Sequence, residues 1–289
     1  METLRSGKTV SVEPTHLLEK AKMELISPTP YPSVNEILDL LLRNVKKIVQ
    51  DQFIGMYLFG SLANGDFDEH SDIDVLVVTE AEITRACFLA LQNLHEMINR
   101  LHSPWAIQIE ASYIPRTALR RFDPAKKLHP HMDRGNDETL HMLSHESDWI
   151  IQRHILRERG IVMIGPSLKT LIDPVSPNDL RKAVVDVLPL WANPILGDPS
   201  QISKRGYQSY FVLSLCRMLY TLKHGKVLSK PAAADWAIDT LDSRWKPLIE
   251  RALIGRQKPN QDASVEDIDE TLQLIRYTLE SSRTIQNPI

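Results

Sequence analysis

The stretch YLFGSLANGDFDEHSDIDVLVV, Tyr57 to Val78, decides how the chain is read. An apolar run ends in a Gly-Ser step, a polar loop follows, and a second apolar run opens with Asp72 and Asp74. Alternate residues of a strand face the same side, so both carboxylates project together, about 7 Å apart along the chain. Ile73 and Val75 then face a core. Two carboxylates at the mouth of a sheet repel one another unless a cation sits between them. Mg²⁺ suits such a place, because it prefers hard oxygens and is commonly held by one or two carboxylates plus phosphate oxygens. Gly60 has no side chain and lets a polyphosphate approach the backbone. Ser61 offers a hydroxyl and an N–H to phosphate oxygens at a turn where N–H groups converge. Glu110, the one acid inside the later run AIQIEASY, is the candidate third carboxylate, either for a metal or for taking a proton from an attacking hydroxyl.

Outward from that stretch, apolar residues recur at helical spacing from Val34 to Ile48, and Ser33 with Glu36 predicts a capping box at the helix start. IGMYLF, IDVLVV and WAIQIEASYI predict three strands, and ITRACFLALQNLHEMINRLH predicts a helix between the second and third. HESDWIIQRHILRERG reads as a helix closed by Gly160. IVMIGPSLKTLIDPVSPN carries three prolines and marks a boundary, after which helices are expected over about 179–192, 207–224, 231–241, 244–254 and 265–281. The predicted organisation is an N-terminal extension over 1–32, an α/β domain with a small mixed sheet over 33–165, and an all-α domain over 176–289.

The chain has 289 residues, enough for two cores, with 43% hydrophobic and 25% charged residues and a formal net charge of −3. That balance argues against a protein that coats nucleic acid, which shows a basic excess. No apolar run approaches the roughly 20 residues that cross a bilayer. The N-terminus lacks the apolar segment of a secretory signal. Cys87 and Cys216, each inside an apolar pattern, read as free thiols. A cytoplasmic protein with neither a nucleic-acid nor a membrane partner is expected.

Gly-Ser, ten residues, then Asp-Ile-Asp between apolar runs resembles the signature of the nucleotidyltransferase superfamily with the DNA polymerase β-like fold. LSLCRMLYTLKHGKVLSKPAAADWAI, Leu213 to Ile238, closely resembles the corresponding segment of the aminoglycoside 3''/9-adenylyltransferases. The resemblance runs from about residue 34 to about residue 255 and includes Leu190-Trp191, Gly165-Pro166 and Asp173 to Val175. It implies transfer of AMP from ATP to a drug hydroxyl, with two Mg²⁺ ions between Asp72, Asp74 and the triphosphate. It further implies that Ser61 contacts the phosphates, that Glu110 deprotonates the hydroxyl, and that Arg217 and Lys230 hold the phosphates from the helical domain. Read from the residues alone, Arg217 is a buried structural ion pair and Lys230 a solvated residue before a helix.

The departures also matter. Where the family carries an acid and a histidine that help recognise streptomycin, Tyr207 and Tyr210 stand here, which leaves spectinomycin favoured over streptomycin as acceptor. A protein hydroxyl, another small-molecule hydroxyl, or nucleotide binding without turnover are the alternatives. The histidine-rich segment KKLHPHMDRGNDETLHMLSHESDW is expected to line the acceptor side of the cleft. Within it, HMLSH would place two imidazoles at i and i+4 on a helix, the spacing of a zinc pair, but the Glu of HExxH is missing. Hydrogen-bonded or solvated histidines remain the stronger reading.

Overall fold

The computed structural model describes residues 27–286, with side chains to residue 284. The first 26 residues of the expected extension lie outside the described residues. Helix α1 (Pro32–Val49) starts one residue before the predicted cap, with Pro32 at its first position. Ser33 is therefore inside the helix, and the predicted capping box does not form. Its entry is held instead by Asn35, whose side chain accepts from Thr29 Oγ1 at 2.8 Å and donates to Thr29 O at 2.8 Å. A proline already lacks an N–H to cap and has the helical φ, which favours the earlier start.

Six strands form one mixed sheet in the order β5-β4-β3-β2-β1-β6. They are β1 (Phe53–Leu58), β2 (Ile73–Thr79), β3 (Ile109–Pro115), β4 (Leu128–Met132), β5 (His141–Ser144) and β6 (Ile161–Ile164). Only β2 and β3 are parallel, joined by the crossover helix α3 (Arg85–Asn99); the other pairs are antiparallel. Ile73, Val75 and Val77 turn toward a core built with α1 and α3. Leu76 and Val78 turn the other way, onto Tyr57, Ile114, Trp149 and Leu156. The sheet is thus buried on both faces, which is why its central strands read as almost unbroken apolar runs.

Three strands, β4, β5 and β6, were not expected from the sequence. IVMI, read as the start of a boundary, is the edge strand β6. HMLSH is not helical: its first four residues are β5, paired with β4 so that His131 lies opposite His141. The i,i+4 histidine pair of the helical reading is therefore not formed. Four residues cannot build a stable helix alone, and a ladder partner decides their conformation.

Short helices α2 (Gly60–Asn64), α4 (Arg116–Leu119) and α6 (Leu168–Leu171), with the longer α5 (Asp148–Arg159), cover the sheet. Beyond them five helices pack together: α7 (Pro177–Gly197), α8 (Arg205–His224), α9 (Lys230–Thr240), α10 (Lys246–Gly255) and α11 (Val265–Gln286). The central helix, α8, buries Phe211, Val212, Leu213, Leu215, Cys216, Leu219 and Leu222 in their common core. It ends at Gly225, whose left-handed φ of 61° closes the last turn. Ser176 and Asp179 form a reciprocal capping box on α7, and Ser229 caps α9. The helical part is tied to the sheet part by Arg159, which donates to Asn64 Oδ1 at 2.6 Å and to Val227 O at 3.3 Å, and by the Arg256–Asp68 pair at 3.4 Å. Cys87 and Cys216 are free thiols. Among the described residues no helix is long and apolar enough to cross a membrane.

Candidate active site

The parallel register of β2 and β3 sets Asp74 directly beside Glu110. Asp72 precedes β2 by one residue and projects to the same side as Asp74. One oxygen from each of the three carboxylates lies within 4.8 Å of the others, and all three are half-buried. This is the arrangement expected from the strand alternation, and pairing across the sheet adds the third member. Hard oxygens at this separation are the donor set that Mg²⁺ takes.

Gly60 opens α2 at the end of β1 with a φ of +59°. A Cβ at this position would lie inside the Asp74 carboxylate. Gly60→Ala is therefore expected to abolish activity and to destabilise the fold by about 1–2 kcal/mol from the left-handed φ alone; steady-state rates and thermal unfolding check both effects. Ser61 Oγ is buried with no hydrogen-bond partner in the protein. An orphaned hydroxyl beside a carboxylate cluster fits a phosphate oxygen as its missing partner.

Crowding three acids has an electrostatic cost. Burial, then the charges of Asp72 and Glu110, push Asp74 well above the ordinary carboxyl range. Glu110 is pushed up to about 7, first by burial and then by Asp72 and Asp133, while Arg134 and Lys230 pull it down. Lys230 comes from the first turn of α9, so the helical part contributes a cation to the carboxylates. Burial, followed by the charge of Arg217, pushes the Lys230 amine down to about 8, while Asp72 and Asp74 support its charge. Burial also lowers the Arg217 pKa, with Tyr210 and Asp74 as its nearest electrostatic supports. Its Nε donates to Leu228 O at 3.0 Å, and no carboxylate pairs with it among the described residues. The buried ion pair read from sequence alone is thus not formed. Gly60, Ser61, Asp72, Asp74, Glu110, Arg217 and Lys230 all meet in one region.

Tyr210 joins them. Its ring lies 4.3 Å below Lys230 Nζ and stacks on Tyr207 at 5.9 Å between centroids, with planes 7° apart. Burial raises its phenol to about 12. Three neighbours come from the histidine-rich segment expected to line the acceptor side, although none of them was given a role there. Arg134 reaches Asp72 Oδ2 at 3.7 Å, and His131 Nε2 stands 3.3 Å from Asp133 Oδ1 and 3.8 Å from Glu110 Oε1. Their placement was not legible, because LHPHM is a strand too short to show a period and Asp133 and Arg134 lie in the loop after it.

Four histidines cluster: the His129 and His145 rings are 5.1 Å apart, and His131 lies 6.0 Å from both His145 and His141. His129 and His145 are buried with all four ring nitrogens unpartnered, and His145 stacks on Trp149 at 3.8 Å. Burial pushes their pKa values down to about 4 and about 2; Arg153 lowers His129 further, and His129, His131 and Arg153 lower His145. His154 lies on α5, and its pKa is lowered by burial. Among the described residues the carboxylate trio is the only group of three or more such side chains spaced to hold a metal ion.

A Gly-Ser corner over paired acids on a mixed sheet, backed by a helical bundle, defines a nucleotidyltransferase. A family model described as nucleotidyltransferase domain matches residues 42–128, and one described as aminoglycoside adenylyltransferase, C-terminal domain, matches residues 170–281. Both parts of the chain are thus similar to the aminoglycoside adenylyltransferase family. It is 25% identical over 246 residues to an aminoglycoside (3'') (9) adenylyltransferase of Escherichia coli, covering 80% of this chain and 89% of that one. It is 26% identical over 253 residues to a spectinomycin 9-adenylyltransferase of Staphylococcus aureus, covering 85% and 94%. A solved spectinomycin adenyltransferase from Enterococcus faecialis, crystallised with ATP and spectinomycin, shares the fold with a TM-score of 0.65. Its sequence identity is 17%, over 86% of this chain and 98% of that one.

Proposed function

We propose that this protein transfers AMP from Mg²⁺-ATP to a hydroxyl of an aminoglycoside-type antibiotic, spectinomycin in preference to streptomycin, and releases pyrophosphate. The observation that carries the reading is the convergence of Asp72, Asp74 and Glu110 within 4.8 Å, facing Lys230 from the helical part. The relatives named as adenylyltransferases of this drug class support the acceptor type. The units doing the work are taken as 33–165 and 176–289, and dependence on ATP suits a cytoplasmic setting.

Asp72 and Asp74 would hold Mg²⁺, with Glu110 reaching a second ion. Bound there, the metal neutralises the triphosphate and favours in-line displacement at phosphorus. Glu110 accepts the proton of the acceptor hydroxyl. The freed oxygen bonds to the α-phosphorus as the bond to pyrophosphate breaks. Ser61, Arg217 and Lys230 bind the phosphates and offset the charge that develops on the leaving group. Arginine and lysine are suited to that task, one as a fork and the other as a point charge.

Preference for spectinomycin rests on the Tyr207–Tyr210 stack. Two aromatic faces occupy the start of α8, where a drug with several cationic groups would gain from carboxylates that the helix does not supply. The test is pyrophosphate release with Mg²⁺-ATP and each drug, followed by mass spectrometry of the drug. Release with spectinomycin and a mass gain of one adenylyl group (AMP less one water) is expected, with little or none for streptomycin. Tight Mg²⁺-ATP binding without release for any aminoglycoside would overturn the proposal in favour of a nucleotide-binding regulator.

A further inference from the structure

We propose that His131 is a positioning residue for Glu110: held by Ser112 as the Nε2–H tautomer, it presents that N–H between Asp133 and Glu110 and fixes the Glu110 carboxylate. The inference rests on Glu110 being the proton acceptor of the proposed transfer. His131 lies opposite Ser112 in the β3–β4 ladder, and Glu110 is two residues before Ser112 on the same strand. All three side chains therefore share one face of the sheet.

His131 is 4% exposed and Ser112 is 2% exposed. Ser112 Oγ and His131 Nδ1 are 2.8 Å apart, a bond compatible with either direction of donation. The other ring nitrogen decides between them. Nε2 is 3.3 Å from Asp133 Oδ1 and 3.8 Å from Glu110 Oε1. A bare lone pair there would face the nearer Asp133 carboxylate, whereas an N–H would be attracted by it and by ionised Glu110. With a single N–H on the ring, Ser112 is then the donor and Nδ1 the acceptor.

The separation to Glu110 exceeds a hydrogen bond, as distances in ligand-free sites often do before they tighten around substrate. Asp133 raises the Glu110 pKa, so the two carboxylates repel. A donor wedged between them opposes that repulsion. Once that contact shortens, it would also hold one Glu110 oxygen toward the sheet, leaving the other for the metal and the incoming hydroxyl. Orienting partners of this kind are typically worth about 10–100-fold in activity.

The test combines imidazole ¹⁵N NMR with kinetics of pyrophosphate release from Mg²⁺-ATP and spectinomycin. The NMR spectrum of the unaltered protein is expected to show His131 protonated at Nε2, and Ser112→Ala is expected to mix the tautomers. His131→Asn, which lacks a group at the Nε2 position, should lower kcat about tenfold or more. Its KM for ATP and its melting temperature should stay near those of the unaltered protein. His131→Gln places an amide N–H where Nε2 stood and should restore most of kcat. A ring protonated at Nδ1, an unchanged kcat in His131→Asn, or a His131→Gln variant as slow as His131→Asn would each overturn the proposal. If the unaltered protein releases no pyrophosphate with spectinomycin, the functional reading fails, and the tautomer alone then judges this inference.

Discussion

Glu110→Gln is expected to lower kcat for AMP transfer by about 10²–10⁴, the range associated with loss of a general base. The substitution keeps the shape of the side chain and removes its ability to take a proton. The phosphate-binding groups Ser61, Arg217 and Lys230 are untouched, so calorimetric titration should still show Mg²⁺-ATP binding. The pH profile gives a second reading. Glu110 must be ionised to act, so the rate of the unaltered enzyme rises with pH as its carboxyl, near 7 in the metal-free protein, loses its proton. A cation bound alongside moves that rise to lower pH. The glutamine variant should lose this limb altogether. Turnover undiminished in the variant would remove Glu110 from the chemistry.

Asp74→Asn should separate function from stability. Asp74 is held above the ordinary carboxyl range by burial and by the charges of Asp72 and Glu110, so ionising it costs the folded state more than the unfolded one. Asparagine has nearly the same shape and no charge. The metal-free variant is therefore expected to be more stable at pH 8 by about 1–2 kcal/mol, the usual size of a single stabilising change, while activity is lost. The gain follows the linkage sign. It is full above the raised folded-state pKa and shrinks as pH falls. It disappears below the unfolded carboxyl value near 3.9, where aspartate is neutral in both states. Adding Mg²⁺ should reverse the order by stabilising the unaltered protein and leaving the variant unmoved. Thermal unfolding at pH 8 and pH 5, with and without Mg²⁺, decides the matter; a variant less stable than the parent at pH 8 without metal would contradict the account of strain at Asp74.

The parts of this site that could be read in advance are those set by neighbours in the chain. Asp72 and Asp74 share a side because a strand alternates, and Gly60 precedes Ser61 at the strand end, where the chain turns. The long helices were legible for the same reason. α8 repeats its apolar residues and stops at Gly225, and α11 begins behind Ser264, whose Oγ accepts from Asp267 N at 3.1 Å. Arg217 and Lys230 became candidates only through family resemblance, since nothing in their local pattern distinguishes a phosphate contact from a core arginine or a solvated lysine.

Covalent spacing therefore determined the carboxylate pair, the glycine corner and the division into a sheet part and a helical part, because those features depend on residues a few positions apart. Tertiary structure alone decided that Asp74 and Glu110 are ladder neighbours, since that requires β2 and β3 to pair in parallel across the α3 crossover. It also decided that Lys230 reaches the acids from α9 and that the histidine-rich segment is a hairpin placing His131 beside Glu110. Short strands such as β4 and β5 carry too few residues for a periodic signal, so their shape is settled by the partner they pair with.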